Sequence, residues 1–291
     1  GSFMIEIYLL EQLNTFVSCG TLSEAAEKLH MTQPTLSRSM RKLEDYFGFP
    51  LFNRDKKRLS LNESGKLMAE YARKILDEEL EMEKHVRNFH KSLQTLHIGS
   101  IAPGPLMVIL PQGAAFYPDI TITSTVDTEE AILRGLLSDE YGIAILTHPL
   151  EDEHFISKKY ISEHLNLSVS AIHPAASKNS VSFAEMNGQN FLMFSQVGIW
   201  EDLVKTQMPD SSFYKQESFK ALAELTKFSE LPSFSTNISL AHSANERISF
   251  VNIPFSDASA TITYYLIYKQ KNETRWRKIL DSQSFCVPDT L

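Results

Sequence analysis

Residues 32–58 carry cationic side chains whose number and spacing suit contact with a polyanion. Between positions 28 and 58 there are eight Lys or Arg residues and three Asp or Glu residues, whereas the whole chain has a net charge of -8. The excess of negative charge lies in residues 93–291, which contain fourteen cations and twenty-two anions. Attraction to phosphate depends on a local cationic patch rather than on overall charge. The chemistry expected of residues 32–58 is contact with a nucleic acid.

Two short helices with a tight turn between them would present these cations. An α-helix advances about 100° per residue, so one apolar stripe collects Leu36, Met40, Leu43 and Phe47. Packing that stripe inward turns Arg38, Arg41 and Lys42 outward, as a helix lying in a DNA major groove requires. A helical hairpin in some other small domain is the alternative. The helix residues expected to contact DNA are Thr32, Gln33, Pro34, Thr35, Ser37, Arg38, Arg41 and Lys42.

A small β-hairpin is predicted directly after this helix. The segments 51–54 and 58–61 flank a turn rich in cations. Such a hairpin would be a wing that lies along the phosphate backbone beside the recognition helix. An ordinary solvated turn is the alternative, since a charge run usually marks solvent. The wing residues expected to contact DNA are Arg54, Lys56, Lys57 and Arg58.

The spacing of these residues resembles the N-terminal signature of the LysR-type transcriptional regulators. The matching positions are Leu13 and Phe16; Ala25, Ala26 and Leu29; Gln33, Pro34, Ser37, Leu43 and Glu44; Gly48, Leu51, Phe52 and Arg54; and Leu61 and Gly65. Two positions depart from the family pattern: Thr32 stands where Ser is frequent, and Asn62 where Thr is usual. Asn is an equally good helix cap. The resemblance implies a winged helix-turn-helix that binds double-stranded promoter DNA.

Residues 63–92 are predicted to form one long helix that begins after Asn62. Its apolar residues recur at alternating steps of four and three: Met68, Ala72, Ile75, Met82, Val86 and Phe89. Such a repeat is typical of a helix that pairs with a partner helix, although a helix packed on its own domain is the alternative. The resemblance implies a homodimer formed through this helix, a further pairing into a homotetramer, and contact with RNA polymerase.

The pattern changes after residue 93 to alternating strands and helices, which predicts a parallel α/β sheet. Strands are expected at 96–98, 120–126, 143–146, 165–172, 191–194, 248–251 and 264–268, and helices at 106–116, 129–137, 200–205, 219–228 and 274–280. The fold class is therefore α/β with three parts: a DNA-binding domain at 4–62, a linker helix at 63–92 and an effector domain at 93–291. We expect two lobes in the effector domain, lobe I at about 93–164 and 266–291 and lobe II at about 165–265. The resemblance implies a form similar to bacterial solute-binding proteins.

A cleft between two α/β lobes collects strand ends and helix N-termini, which can bind an anion such as a carboxylate. The resemblance places a small-molecule effector there, and an anion is one candidate class. The residues implied as effector contacts are Ser100, Ile101, Ala102, Pro103, Thr147, Ser195 and Gln196. For each hydroxyl the alternative is a role in capping its own helix or turn.

Other functional classes find little support in the sequence. It has no phosphate loop, nucleophile elbow or His-Glu-x-x-His motif, and its nine histidines have no metal-ligand spacing, so we expect neither an enzyme nor a metal or cofactor. A solute-binding module without DNA activity would have no use for the cations of residues 32–58. No apolar run is long enough to cross a bilayer and no signal peptide is evident, which indicates the cytoplasm. Cys286 is the only cysteine expected in the effector domain, which argues against the peroxide-sensing branch of the family, because that branch uses a cysteine pair there.

Overall fold

The computed structural model describes residues 4–55, 58–228, 230–242 and 250–282 of the chain. The chain divides into two compact units, and the boundary between them in the sequence lies between Val86 and Arg87. Lys56 and Lys57 of the predicted wing lie outside the described residues, as does Cys286.

The first unit is helical apart from one hairpin. Its elements are α1 (Ile7–Cys19), α2 (Leu22–Lys28), α3 (Gln33–Phe47), β1 (Phe52–Asp55), β2 (Arg58–Leu61) and most of α4 (Glu63–Ser92). β1 and β2 pair antiparallel, as the predicted wing requires. The core of the unit buries one face of each helix and the start of the wing, through Leu9, Leu10, Leu13, Phe16, Ala25, Ala26, Leu36, Met40, Leu43, Leu51, Phe52, Met68 and Ala72.

Glycines and polar caps set the helix ends in the first unit. α1 ends at Gly20 and α3 at Gly48, both in the left-handed region with φ of 79° and 75°, a backbone conformation that glycine adopts without strain. The Thr21 side chain accepts a hydrogen bond from the Glu24 amide at the start of α2. These caps fix the short turns that set α2 against α3.

The apolar stripe of α3 is buried as predicted, except at its last position. Leu36, Met40 and Leu43 are at most 2% exposed, whereas Phe47 is 38% exposed. The inward position predicted for Phe47 is therefore wrong. It is the last residue of the helix, and its ring lies 5.6 Å from the exposed ring of Phe49.

A single carboxylate fixes the start of the wing to α3. Glu44 Oε1 accepts hydrogen bonds from the backbone amides of Leu51 at 2.9 Å and Phe52 at 3.2 Å. Asn62 then caps α4, because its Oδ1 accepts from the Gly65 amide and its Nδ2 donates to the Pro50 carbonyl, both at 2.8 Å. The position of the wing beside the recognition helix therefore depends on two polar side chains.

The long helix α4 has exactly the predicted limits of residues 63–92, but its apolar repeat is divided between two environments. Met68 and Ala72 are buried in the core of the first unit. Ile75, Met82 and Val86 are 48%, 60% and 62% exposed. The early part of the stripe thus stabilises its own domain, and the later part carries an uncovered apolar face.

The second unit contains a seven-stranded sheet with helices packed against it. Its elements in chain order are β3 (Thr95–Ser100), α5 (Gly104–Phe116), β4 (Thr121–Val126), α6 (Glu129–Leu137), β5 (Ile143–Leu146), β6 (Phe155–Ser170), α7 (Phe183–Met186), β7 (Asn190–Phe194), α8 (Ile199–Gln207), β8 (Ser212–Gln216), α9 (Phe219–Phe228), β9 (Ser233–Thr236), α10 (Asn237–His242), β10 (Phe250–Pro254), β11 (Thr261–Lys269) and α11 (Glu273–Asp281). The strand order is β10-β6-β11-β5-β3-β4, and β9 also pairs with β6. β7 and β8 form a separate parallel pair.

The sheet is mixed rather than parallel throughout. β3 runs parallel to β4 and β5, as the alternation of strand and helix predicts. β11 is antiparallel to β5 and β6, and β6 is antiparallel to β9 and β10. The parallel prediction is therefore wrong for β6, β10 and β11, because these strands are joined by connections other than a simple strand-helix-strand crossover.

Strand β6 is ten residues longer at its start than predicted. It runs from Phe155 to Ser170, whereas the apolar pattern had indicated a beginning at Leu165. The sequence also did not predict β8, β9 or α10. Both β6 and β11 extend through the places where the two lobes were expected to meet, and their pairing has a register shift between Thr263 and Tyr265. The lobes are thus connected by paired strands.

Replacing Glu44 by Ala is expected to loosen the wing. Two backbone amides lose their acceptor, which should cost about 1–3 kcal/mol of stability in the first unit. Hydrogen exchange measured on peptides that contain Leu51 and Phe52 should be faster in Glu44→Ala. Asp45→Ala is the matched control, because Asp45 is exposed on the same helix turn. Equal protection of these amides in both variants would contradict the role given to Glu44.

Candidate nucleic-acid interface and effector cavity

The outward face of α3 is open to solvent over its whole length. Ser37 is half-buried, and the other predicted contact residues on this helix are exposed: Thr32, Gln33, Pro34, Thr35, Arg38, Arg41 and Lys42. The buried residues of the helix lie on the opposite side. The periodicity that separates an inward from an outward face therefore holds in the structure.

Two arginines on this face are not neutralised by acidic neighbours. Within the described part of the chain, Arg41 forms no hydrogen bond or ion pair, and the single hydrogen bond of Arg38 runs from Nε to the Pro34 carbonyl at 3.5 Å. Their guanidinium groups are free to donate to phosphate or to base edges.

Lys42 differs from the arginines because a tyrosine holds it. Its Nζ donates to the Tyr8 hydroxyl at 3.2 Å and lies 5.9 Å from the centre of the Tyr8 ring. This hydrogen bond raises the pKa of Lys42. The Tyr8 hydroxyl on α1 thus holds this ammonium group at the end of the cationic face.

Polar side chains at the start of α3 are oriented by their neighbours. Thr32 occupies the N-cap position, but its side chain makes no cap hydrogen bond; its Oγ1 lies 2.8 Å from Thr35 Oγ1. Ser23 Oγ donates to Gln33 Oε1 at 3.1 Å. The carbonyl end of the Gln33 amide is thus held by α2, and the amino end remains available as a donor.

The wing adds Arg54 in β1 and Arg58 in β2, on the paired strands that flank the turn. Lys56 and Lys57 fall outside the described residues. The predicted DNA-contact set is thus distributed over one helix face and the adjoining hairpin, all within the first unit.

A cavity of about 90 Å³ lies in the second unit, between the start of α5, the crossing strand β6 and the elements around β7 to β9. Its walls are mostly apolar. The lining residues are Pro103, Gly104, Met107, Glu163, Leu165, Leu192, Met193, Phe194, Val197, Trp200, Val204, Leu222, Phe234, Ser235, Thr236 and Ser239.

Of the residues implied as effector contacts, only Pro103 lines this cavity. Ser100 is fully buried, and its Oγ donates to the Ala102 carbonyl at 2.6 Å, so its hydroxyl serves its own turn. Ile101 and Ala102 are buried in the core. Ser195 and Gln196 directly follow Phe194, which does line the cavity, and Thr147 is half-buried after β5.

The two loops that flank the cavity touch through their backbones. The Ile199 amide donates to the Ile101 carbonyl at 3.0 Å. Gly198 has φ of 60°, and a Cβ at this position would lie 2.0 Å from the Ile101 oxygen. Only glycine permits this approach.

Sequence reasoning missed the buried acid at the centre of the cavity. Glu163 on β6 is 2% exposed. Its Oε2 accepts hydrogen bonds from the Tyr264 hydroxyl at 2.7 Å and from Trp200 Nε1 at 3.0 Å. Burial and the nearby carboxylate raise the pKa of Tyr264, so its phenol stays protonated and remains a donor. A glutamate inside an alternating strand carried no sequence signal for this role.

A second cavity of about 250 Å³ lies in the same unit near His97, Tyr141 and Arg275. Some of its charged groups have partners: Lys271 pairs with Asp139, and Arg275 donates to Ser92. Lys91 and Glu140 also line this cavity.

Within the described residues, no group of three or more His, Cys, Asp or Glu side chains is placed to hold a metal ion. Across the same residues, the helices are all too short or too polar to traverse a lipid bilayer.

Comparison with known proteins gives two family-model matches. Residues 7–66 match the model of the bacterial regulatory helix-turn-helix protein of the lysR family. Residues 92–275 match the LysR substrate binding domain. The second match alone covers more than half of the chain.

Individual relatives are more distant. The chain is 32% identical over 173 residues to a hydrogen peroxide-inducible genes activator of Haemophilus influenzae, a match covering 58% of each protein. It is 29% identical over 193 residues to the Hca operon transcriptional activator HcaR of Escherichia coli, covering 63% of this chain and 64% of that one. The chain thus spans less than two thirds of the length of these curated relatives.

A solved structure of a full-length OxyR variant from Pseudomonas aeruginosa shares the fold. It has a TM-score of 0.55 and 20% identity, and the match covers 98% of this chain and 96% of that chain.

Replacing Gly104 by Ala should disturb the cavity. A Cβ at this position would lie 2.2 Å from Glu163 Oε1, so the buried carboxylate would have to move. We expect a loss of about 1–3 kcal/mol, measured as a lower thermal midpoint by tryptophan fluorescence. Gly113→Ala is the matched control in the same helix, since the nearest atom there is the terminal methyl of Ile122. A Gly104 variant as stable as the Gly113 variant would show that the carboxylate is not held closely.

Proposed function

The chain belongs to the LysR family of bacterial regulators, and we propose that it is a sequence-specific, DNA-binding transcriptional regulator controlled by a small molecule bound in its second unit. The observation that carries the DNA-binding part is the outward face of α3, where Arg38 and Arg41 are exposed and have no acidic partner among the described residues. Exposed cations of this kind suit contact with an anionic DNA duplex.

The proposed contacts divide into two kinds. Gln33, Thr35 and Arg38 lie near the start of the recognition helix and would read base edges in the major groove, with Arg favouring guanine and Gln favouring adenine. Arg41, Lys42 and the wing cations would contact phosphates and position the protein. Thr32, Pro34 and Ser37 would complete the surface that approaches the backbone.

The uncovered face of α4 supports a homodimer. Its exposed apolar residues are Leu67, Tyr71, Ile75, Leu80, Met82, Val86 and Phe89. All of them except Leu80 fall on one side of the 30-residue helix, and such an apolar stripe is suited to a second copy of the same helix. A dimer would present two recognition helices to a two-fold operator, with half-sites separated by about 34 Å or a multiple of it. Pairing of two dimers into a tetramer, and contact with RNA polymerase, remain parts of the proposal that rest on family membership.

The cavity at Glu163 is the proposed effector site. It lies where β6 and β11 connect the lobes, so a ligand that filled it would alter the angle between them. A change in that angle would alter how the dimers are arranged on DNA, and hence transcription. The second unit has a single cysteine in its sequence, Cys286, so it lacks the cysteine pair that peroxide sensing would need. The site of action would be the bacterial cytoplasm, where the chromosome is accessible.

Substitutions on the DNA-binding surface should separate base reading from phosphate contact. Arg38→Ala is expected to cost about 1–3 kcal/mol of binding free energy and to relax sequence preference at one operator position. Lys57→Ala should weaken binding to all sequences alike and should reduce the slope of affinity against salt by about 1.

Electrophoretic mobility shifts of the promoter fragment upstream of the gene, measured across a salt series, would test both changes. Arg277→Ala is the matched control, because it removes an exposed arginine from the second unit. Absence of a shift by the unmodified protein at low salt would defeat the proposed function. Identical behaviour of the Arg38 and Lys57 variants would defeat the division of roles.

A further inference from the structure

The cavity at Glu163 has few polar side chains in its wall. Three of them are hydrogen-bonded to protein groups: the Ser239 hydroxyl donates to the Thr236 carbonyl at 3.1 Å, the Ser235 hydroxyl donates to Asn252 Oδ1 at 2.9 Å, and the Thr236 hydroxyl accepts from the Ser239 amide at 3.1 Å. Most of the remaining lining is apolar, with Trp200, Phe194 and Phe234 as aromatic members. The chemistry of any ligand held here depends chiefly on Glu163.

The two oxygens of the Glu163 carboxylate are in different situations. Oε2 receives both available donors, from Tyr264 and Trp200. Within the described part of the chain, Oε1 has no hydrogen-bond donor, and no Lys, Arg or His forms an ion pair with Glu163. A buried carboxylate oxygen without a donor is costly, so a ligand that brings an N–H or O–H group to Oε1 would gain a strong hydrogen bond.

The start of α5 would otherwise favour the opposite ligand class. The N-terminus of a 13-residue helix attracts anions through its unpaired amides and its dipole. Here the carboxylate of Glu163 lies beside Gly104, the first residue of that helix. A second carboxylate placed in the cavity would face the first across a medium of low dielectric, and the two would repel each other.

We infer that the cavity selects a small apolar molecule carrying a hydrogen-bond donor, best a protonated primary amine, and that it disfavours carboxylates. The inference rests on the proposed function of this cavity as the effector site, and it narrows the ligand class there. An ammonium group would pair with Oε1, and the aromatic walls would pack on the ligand's apolar body and face its charge. The cavity volume of about 90 Å³ favours a small ligand.

Three probes of matched size test the charge preference: benzylamine, benzyl alcohol and benzoate. The chain has two tryptophans, of which Trp200 lines the cavity and Trp276 does not. The full chain labelled with 5-fluorotryptophan therefore gives two fluorine NMR resonances, assigned with Trp200→Phe. Titration at neutral pH should shift the Trp200 resonance and leave that of Trp276 in place. Benzylamine should bind about tenfold or more tightly than benzoate, with benzyl alcohol between them.

The variant Glu163→Gln tests the residue itself. Gln retains an acceptor for Tyr264 and Trp200 but removes the negative charge, so the preference for benzylamine over benzoate should disappear. Glu130→Gln is the matched control, because it removes one exposed carboxylate from the same unit and should leave the preference intact. Should Glu163→Gln not fold, as judged by its thermal midpoint, the ranking of the three probes on the unmodified protein still decides the matter.

Three results would overturn the inference: benzoate binding at Trp200 as tightly as benzylamine, no movement of the Trp200 resonance with any probe, or a preference that survives in Glu163→Gln. None of these results bears on the mobility shift measured without ligand, which tests the proposed DNA binding. Conversely, a protein that bound no DNA yet preferred benzylamine at Trp200 would fail the proposed function and keep the inference.

Discussion

The antiparallel pairing of β6 with β11 is the contact on which the second unit depends. Strands β5, β3 and β4 attach on the β11 side, and β9 and β10 attach on the β6 side. A register shift next to Tyr264 interrupts the pairing just where Glu163 meets Tyr264 and Trp200. A register shift of this kind changes the direction in which neighbouring side chains point. The same pairing that joins the lobes therefore also aims the polar groups of the cavity, which links ligand chemistry to lobe geometry.

Much of the first unit could be predicted because its signals are local. The stripe through Leu36, Met40 and Leu43 and the cap at Asn62 are set by residues within one or two helical turns, and both appear in the structure. The error at Phe47 also has a local cause: periodicity cannot show where the packed part of a helix ends. Glu44 was recognised only as a motif position, since its contact with the wing amides requires the hairpin to fold back on the helix.

The cavity could be predicted less well from the sequence, because segments that are distant in the chain form it. Glu163 and Tyr264 are 101 residues apart in the chain, and the start of β6 is too polar to indicate a buried strand. Ser100 lies where the loop was expected, but its hydroxyl donates its hydrogen bond to the Ala102 carbonyl within its own turn. A family pattern identifies the loops around a cleft; which side chains reach it depends on strand register and bulges, which no spacing in a single sequence shows. The contacts expected at Thr147, Ser195 and Gln196, like the DNA contacts, stay predictions.

The backbone contact between Gly198 and Ile101 bears on how such a sensor can diversify. The hydrogen bond beside it runs from the Ile199 amide to the Ile101 carbonyl, so no exchange of side chains can remove it while residue 198 remains glycine. The energy needed to separate the two loops therefore depends on backbone groups, whereas the selectivity of the cavity depends on side chains such as Glu163. Side-chain substitutions in the cavity could therefore change which ligand binds without changing the energy needed to separate the two loops.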